Sequence, residues 1–252
     1  MKPLRDAPPP YHTCVFDCDS TLSSIEGIDE LAEGAREEIA ELTRQAMAGE
    51  LALESVYGRR LERIRPGRAR VEALGALYVE RMLPGARELV CALRALEKRV
   101  CIVSGGLAPA VETLARALGI ERGEVFAVRI EFAADGSYAG FDPSSPLARA
   151  GGKREVLAHI ASAPRAAPIA LVGDGMSDLE ALEEPALARF VAFGGVVRRA
   201  AVFERARVHA SAPDLACVLP LLVSPSEMRI LAASREHAGL CERALALQDE
   251  TR

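Results

Sequence analysis

Two aspartates one residue apart, Asp17 and Asp19 in FDCDST (16–21), stand directly after the apolar run CVF. A single acid at a strand end is ordinary turn chemistry, because an Asp side chain readily caps its own backbone. Two on one face repel, which raises the pKa of one and costs stability unless a cation or a shared proton offsets the repulsion. Three later segments supply complementary groups: SGG (104–106), GGK (151–153) and GDGMSD (173–178). Between them they hold the Ser104 hydroxyl, the backbone amides of Gly105 and Gly106, the Lys153 ammonium and the Asp174 and Asp178 carboxylates. Mg²⁺ prefers an octahedron of oxygens, usually one or two protein carboxylates completed by water and substrate phosphate, which matches Asp17 and Asp174. Metal, lysine and amides acting together on a transferring phosphoryl group, with a carboxylate as nucleophile, form a coherent chemistry.

Those residues meet only if the chain brings the ends of separate strands together. Short β-rich runs at 12–17, 99–105, 125–132, 168–174, 189–194 and 207–211 alternate with helical periodicity at 85–98, 109–119, 152–163 and 177–185. Near-continuous apolar strands alternating with helices predict a mainly parallel sheet covered on both faces, whose ligands bind beyond the carboxyl ends of the strands. The fold class is therefore α/β, a Rossmann-like three-layer core. From Glu26 to about residue 82 the strand signal is lost and amphipathic stretches such as 27–49 take over, predicting an inserted helical cap. A DG turn between alternating runs at 125–142 predicts a β-hairpin flap. The expected domains are a core of residues 1–25 and 83–223, a cap of 26–82, and a C-terminal extension of 224–252 that reads as one or two exposed helices.

Composition narrows the partners. The chain has 252 residues, 50% hydrophobic and 27% charged, with a net charge of −5. Such a balance gathers neither nucleic acid nor an anionic membrane, and the arginine-rich stretch 59–70 reads as a solvated helix face. No apolar run of about 18 residues, the length of a spanning helix, is present, and the N-terminal stretch has no apolar signal core. The expectation is a cytoplasmic enzyme for a small molecule, as monomer or homodimer. The six cysteines (14, 18, 91, 101, 217, 241) lack metal spacing and read as buried reduced thiols; His12, His159, His209 and His237 read as structural or solvated.

The ordered set DxDxT, SGG, Lys, GDGxxD resembles the haloacid dehalogenase superfamily of phosphohydrolases. FDCDSTLSSIEGIDELA (16–32), MAGELALESVYGRRL (47–61), GSYAGFD (136–142) and AFGGVVRR (192–199) narrow the likeness to its phosphoserine phosphatase family, over roughly residues 12–223. The resemblance implies that Asp17 carries an aspartyl phosphate and that Asp19 acts as general acid, then base. It implies that Ser104, Gly105 and Lys153 hold the phosphate. Mg²⁺ would sit on Asp17, Asp174 and the main-chain carbonyl of Asp19, supported by Asp178 paired with Lys153. Glu26 and Arg60 would meet the substrate ammonium and carboxylate, with Met47 on the lid side. An amino-acid phosphate does need one acid and one planar basic fork beside the phosphoryl group.

Taken singly, Asp19 and Ser104 are equally good helix caps; their joint occurrence in order favours chemistry. Two other readings stay open: a phosphatase of another small phosphomonoester, and a noncatalytic phospho-ligand binder. The expected reaction is Mg²⁺-dependent hydrolysis of O-phosphoserine, the closing step of serine synthesis.

Overall fold

The structure, a computed structural model, describes residues 8–32, 34, 37–39, 41–42 and 53–249, the side chains of 53–55 and 248–249 excepted. Six strands form the central sheet: β1 (Thr13–Phe16), β2 (Arg99–Leu107), β3 (Val125–Val128), β6 (Ile169–Gly173), β7 (Leu187–Phe193) and β8 (Val208–Ala210). Their order is β3-β2-β1-β6-β7-β8, and every neighbouring pair is parallel. All residues of β1 and β6 are buried, as expected of central strands covered on both faces. The helices Ala86–Ala95, Ala108–Ala117 and Gly152–Ala161 supply the cover, each with an apolar face buried against the sheet. No helix among the described residues is long and apolar enough to cross a membrane.

The predicted run 125–132 divides. Val125–Val128 joins the parallel sheet, whereas β4 (Ile130–Phe132) leaves it to pair antiparallel with β5 (Tyr138–Phe141). The turn needs glycine, since Gly136 has φ +84° and the preceding Asp135 accepts the Ser137 N–H at 2.9 Å. Sequence periodicity reads the run as one strand because both halves alternate in the same phase.

The inserted segment also departs from a simple amphipathic reading. Its first helix is only Gly27–Glu30, residues 37–39 and 41–42 are helical, and the rest of the 27–49 stretch lies outside the described residues. Two longer helices follow, Leu53–Ile64 and Arg68–Glu80. The second lies tightly on Ala108–Ala117, because a Cβ at Gly75 would approach Thr113 Cβ at 2.9 Å and Ala110 Cα at 3.3 Å. The flap packs against the same insertion: Tyr57 and Phe141 rings are 5.4 Å apart, and the Arg65 and Arg68 guanidinium groups lie over Tyr138 and Phe132. The stretch 59–70 is therefore partly a packing surface.

The C-terminal extension forms two helices that are exposed on much of their surface, Ile230 and Leu245 included, and buried along one side. Its helices, Pro225–Ala233 and Ala238–Asp249, bury Leu231, Leu240, Cys241 and Ala244. Ser224 and Glu227 form a reciprocal cap, and Glu227 Oε1 also takes the buried Lys98 ammonium at 2.5 Å.

One close approach sets the entry into the lysine-bearing helix. A Cβ on Gly152 would stand 1.7 Å from the Pro146 carbonyl oxygen. Gly152→Ala should lower stability by about 1–3 kcal/mol, the usual cost of overpacking, read as a lower urea midpoint at constant m value. Gly123→Ala, where a Cβ meets open space, is the control and should change stability by less than about 0.5 kcal/mol.

Candidate active site

The central strands deliver acids to one edge. Phe16 is in register with Val172, and the Asp17 N–H donates to the Val172 carbonyl at 2.9 Å, so Asp17 leaves β1 level with Gly173, the last residue of β6, just before Asp174 leaves it. The first turn of the Gly152–Ala161 helix adds Lys153, whose Nζ lies 2.7 Å from Asp17 Oδ2 and 2.6 Å from Asp178 Oδ1. Burial alone would lower the Lys153 pKa, but the Asp17 and Asp178 charges outweigh it and push it up. Asp178 has no exposed surface, and its second oxygen accepts the Gly175 N–H at 3.0 Å. Asp17 Oδ1 accepts the Cys18 N–H at 2.7 Å.

Asp19 sits in a different environment. Its Oδ1 accepts the Tyr78 hydroxyl at 2.6 Å and the Gly27 N–H at 2.8 Å. Burial, then the Asp17 charge, push its pKa up to about 6 against those two donors. Burial and Asp17 raise Asp174 similarly, to about 6, and burial with Asp19 raises Glu26 to about 7. These shifts share a cause: five carboxylates (17, 19, 26, 174, 178) crowd together, and Lys153 and Arg199 are the cations in contact with them. A divalent cation would relieve the remaining repulsion.

The donor set fits one. Asp17, Asp174 and Asp178 each offer a carboxylate oxygen within 4.8 Å of the others, and all-oxygen sets suit hard cations. Among the described residues Asp174 Oδ1 has only a long 3.5 Å contact from the Thr21 hydroxyl, whereas Asp178 is engaged by Lys153 and Gly175. The side chain of Asp19 is outside this trio.

A cavity of about 140 Å³ is lined by Asp17, Asp19, Glu26, Arg60, Gly105, Lys153 and Asp174, gathering most of the candidate residues. That is near the roughly 150 Å³ in which an engineered cavity holds one benzene, so its occupant is small. Ser104 is not at the wall: it is fully buried and its Oγ accepts the Gly106 N–H at 2.9 Å. Met47 lies outside the described residues. Arg60 bonds Asp29 through Nη2 at 2.5 Å, while its buried Nε has no partner among the described residues.

Sequence reasoning passed over several residues here. Arg199 bridges Asp174 Oδ2 at 2.8 Å and Glu26 Oε1 at 3.0 Å, joining the edge of the sheet to the insertion. It stands within the AFGGVVRR stretch, which offered a motif but no role. Tyr78 is the lone tyrosine of the Arg68–Glu80 helix, where helical periodicity reads it as core. Arg149 and Ser177 also line the cavity, as does Tyr57, whose hydroxyl reaches the Gly105 carbonyl at 2.8 Å. That contact closes the insertion over the second strand's end.

Comparison with known proteins agrees in sequence and fold. Residues 14–183 match the family model of haloacid dehalogenase-like hydrolases. Phosphoserine phosphatase of Bos taurus is 40% identical over 193 residues, 76% of this chain and 85% of that protein. The Homo sapiens phosphoserine phosphatase is 39% identical over 194 residues, again 76% and 85%. A phospho-aspartyl intermediate analogue of phosphoserine phosphatase superposes with a TM-score of 0.71 at 27% identity, covering 85% of this chain and 100% of that one. A substrate-bound phosphoserine phosphatase complex gives 0.71 and 27%, covering 85% and 99%.

The acid cluster generates a direct expectation. At about a hundred times its Kd, a cation that binds only the folded state adds roughly 2.7 kcal/mol of stability. Thermal unfolding with and without a hard divalent cation should show a rise in Tm for this protein, and Asp174→Asn should lose it.

Proposed function

Since this chain belongs to the haloacid dehalogenase-like hydrolases, and within them to the phosphoserine phosphatase family, we propose that it hydrolyses O-phospho-L-serine to L-serine and phosphate with Mg²⁺ as cofactor. Supporting this reading is one cavity of small-molecule size that presents Asp17, Asp19, Lys153 and Asp174 together with Glu26 and Arg60. Free thiols at all six cysteines agree with work in a reducing compartment, the cytoplasm.

In this proposal a carboxylate oxygen of Asp17 attacks phosphorus, and the bond from phosphorus to the serine oxygen breaks. Asp19 gives its proton to that leaving oxygen; a pKa raised to about 6 leaves it a usable acid near neutrality. The Tyr78 and Gly27 donors fix which of its oxygens faces the reacting group. Asp19 then takes a proton from the water that attacks the aspartyl phosphate, and phosphate leaves from Asp17. Lys153, beside Asp17 and anchored by Asp178, offsets the charge of the transferring phosphoryl oxygens, and the Gly105 region supplies backbone amides. Asp17, Asp174 and the Asp19 main chain would hold the cation, which when bound would supply further positive charge at the phosphoryl group. Arg60, whose buried Nε has no partner among the described residues, receives the substrate carboxylate, and Glu26 the ammonium. The insertion must open at the Tyr57 to Gly105 contact for exchange.

A second reading has a specific observation behind it. Glu26 already accepts from Arg199 and from the Ser20 hydroxyl at 2.7 Å, so its carboxylate is engaged within the protein. A small phosphomonoester without an ammonium group would leave that arrangement undisturbed.

Two experiments test these readings. Asp17→Asn should lower kcat more than about 10³-fold while circular dichroism and Tm stay near those of the unsubstituted protein; substantial turnover in a folded variant ends covalent catalysis by Asp17. Arg60→Ala should cut kcat/KM for phosphoserine roughly a hundredfold, the scale of losing one buried charged partner, and change an aryl phosphate only slightly. Equal losses on both substrates favour the second reading.

A further inference from the structure

Away from that cavity, the Ala86–Ala95 helix meets the turn before the last helix at Cys91, Glu236 and His237. The Cys91 sulfur, a Glu236 carboxylate oxygen and a His237 ring nitrogen all lie within 4.8 Å of one another. Cys91 is the exposed exception among thiols otherwise read as buried, and it donates to Glu236 Oε1 at 3.3 Å. His237 is buried to 6% exposure, yet neither ring nitrogen has a hydrogen-bond partner among the described residues. Neither ring nitrogen is sealed from solvent, so the imidazole faces the groove beside Cys91 and Glu236 and can take a ligand there. Cys91 and Glu236 are 145 residues apart, which is why no local spacing announces the cluster.

We propose that Cys91, Glu236 and His237 bind a divalent transition-metal ion of the zinc class, with water in the fourth position. Sulfur, imidazole nitrogen and carboxylate oxygen are the donors zinc selects, in contrast to the all-oxygen trio at the sheet edge. With metal–ligand distances of about 2.0–2.3 Å, tetrahedral zinc sets its ligands roughly 3.3–3.7 Å apart. The present 3.3 Å between sulfur and carboxylate already matches. The scaffold is held in place one turn away, where Arg243 of the last helix pairs with Glu88 at 3.2 Å and with Asp214 at 2.9 Å. On binding, the S–H bond of Cys91 breaks, a metal–sulfur bond forms and one proton passes to solvent, with no change of oxidation state. The three ligands open onto a groove of about 550 Å³ bordered by Arg87, Arg94 and Arg116, leaving an approach for the ion. Such an ion would staple the C-terminal helices to the core.

The test is a Co²⁺ titration of the full chain in excess Mg²⁺, which occupies the oxygen-only cluster. A thiolate-to-cobalt charge-transfer band should grow to stoichiometric saturation and vanish on adding Zn²⁺. Cys91→Ser should abolish the band, and His237→Asn should weaken Co²⁺ binding by at least about tenfold. Zn²⁺ should raise Tm for the unsubstituted chain and not for Cys91→Ser, whose Mg²⁺-supported phosphatase activity is unchanged. Absence of the band in the unsubstituted chain, or an equal band in Cys91→Ser, overturns the proposal.

Discussion

Negative charge gathered at the carboxyl edge of a parallel sheet is the constraint on which the rest of this structure depends. Asp17 and Asp174 follow strands with no exposed residue, so each carboxylate starts from a low-dielectric surface and cannot be dispersed into water. Lys153 compensates part of it by bridging Asp17 and Asp178. Breaking a buried pair by removing one partner typically costs about 3–5 kcal/mol, so the lysine helps hold the fold together. Its helix is held to its entry angle by the close passage of Gly152 under the Pro146 carbonyl. The charge left over is what makes a divalent cation and a phosphate natural occupants.

The insertion belongs to the same electrostatic arrangement. Tyr78, brought close by the Gly75 contact, and the Gly27 amide both donate to Asp19. Arg199 then reaches from the core to Glu26. The proton affinity of Asp19 and closure of the insertion are therefore linked through hydrogen bonds: residues that seal the cavity also donate to the carboxylate inside it. A parallel division separates the two candidate metal sites, one all oxygen beside the acid-lined cavity and one containing sulfur and nitrogen at the C-terminal helices.

Much of this was legible along the chain. Alternation of apolar strands with helical periods gave the parallel α/β sheet, because a strand buried on both faces must be almost continuously apolar. The ordered motifs named Asp17, Asp19, Gly105, Lys153 and Asp174, since each stands at or near the carboxyl end of a strand or opens a helix, where topology leaves few places to go. The run 125–132 misled because alternation carries no record of which neighbour a strand pairs with. The tail beyond Ser224 does form two helices with much exposed surface, but the few positions that dock it, such as Leu231 and Leu240, carry no clear pattern in the sequence.

By itself, then, the sequence determined the fold class and the identity of the acids, for these follow from local periodicity and from turn residues at fixed offsets. Only the tertiary structure decided that Arg199 bridges Asp174 and Glu26, that Tyr78 holds Asp19, that Ser104 turns away from the cavity wall, and that Cys91 and His237 meet. Those are pairings between residues far apart in the chain. Distance and desolvation fix them, and neither is written in the spacing of letters.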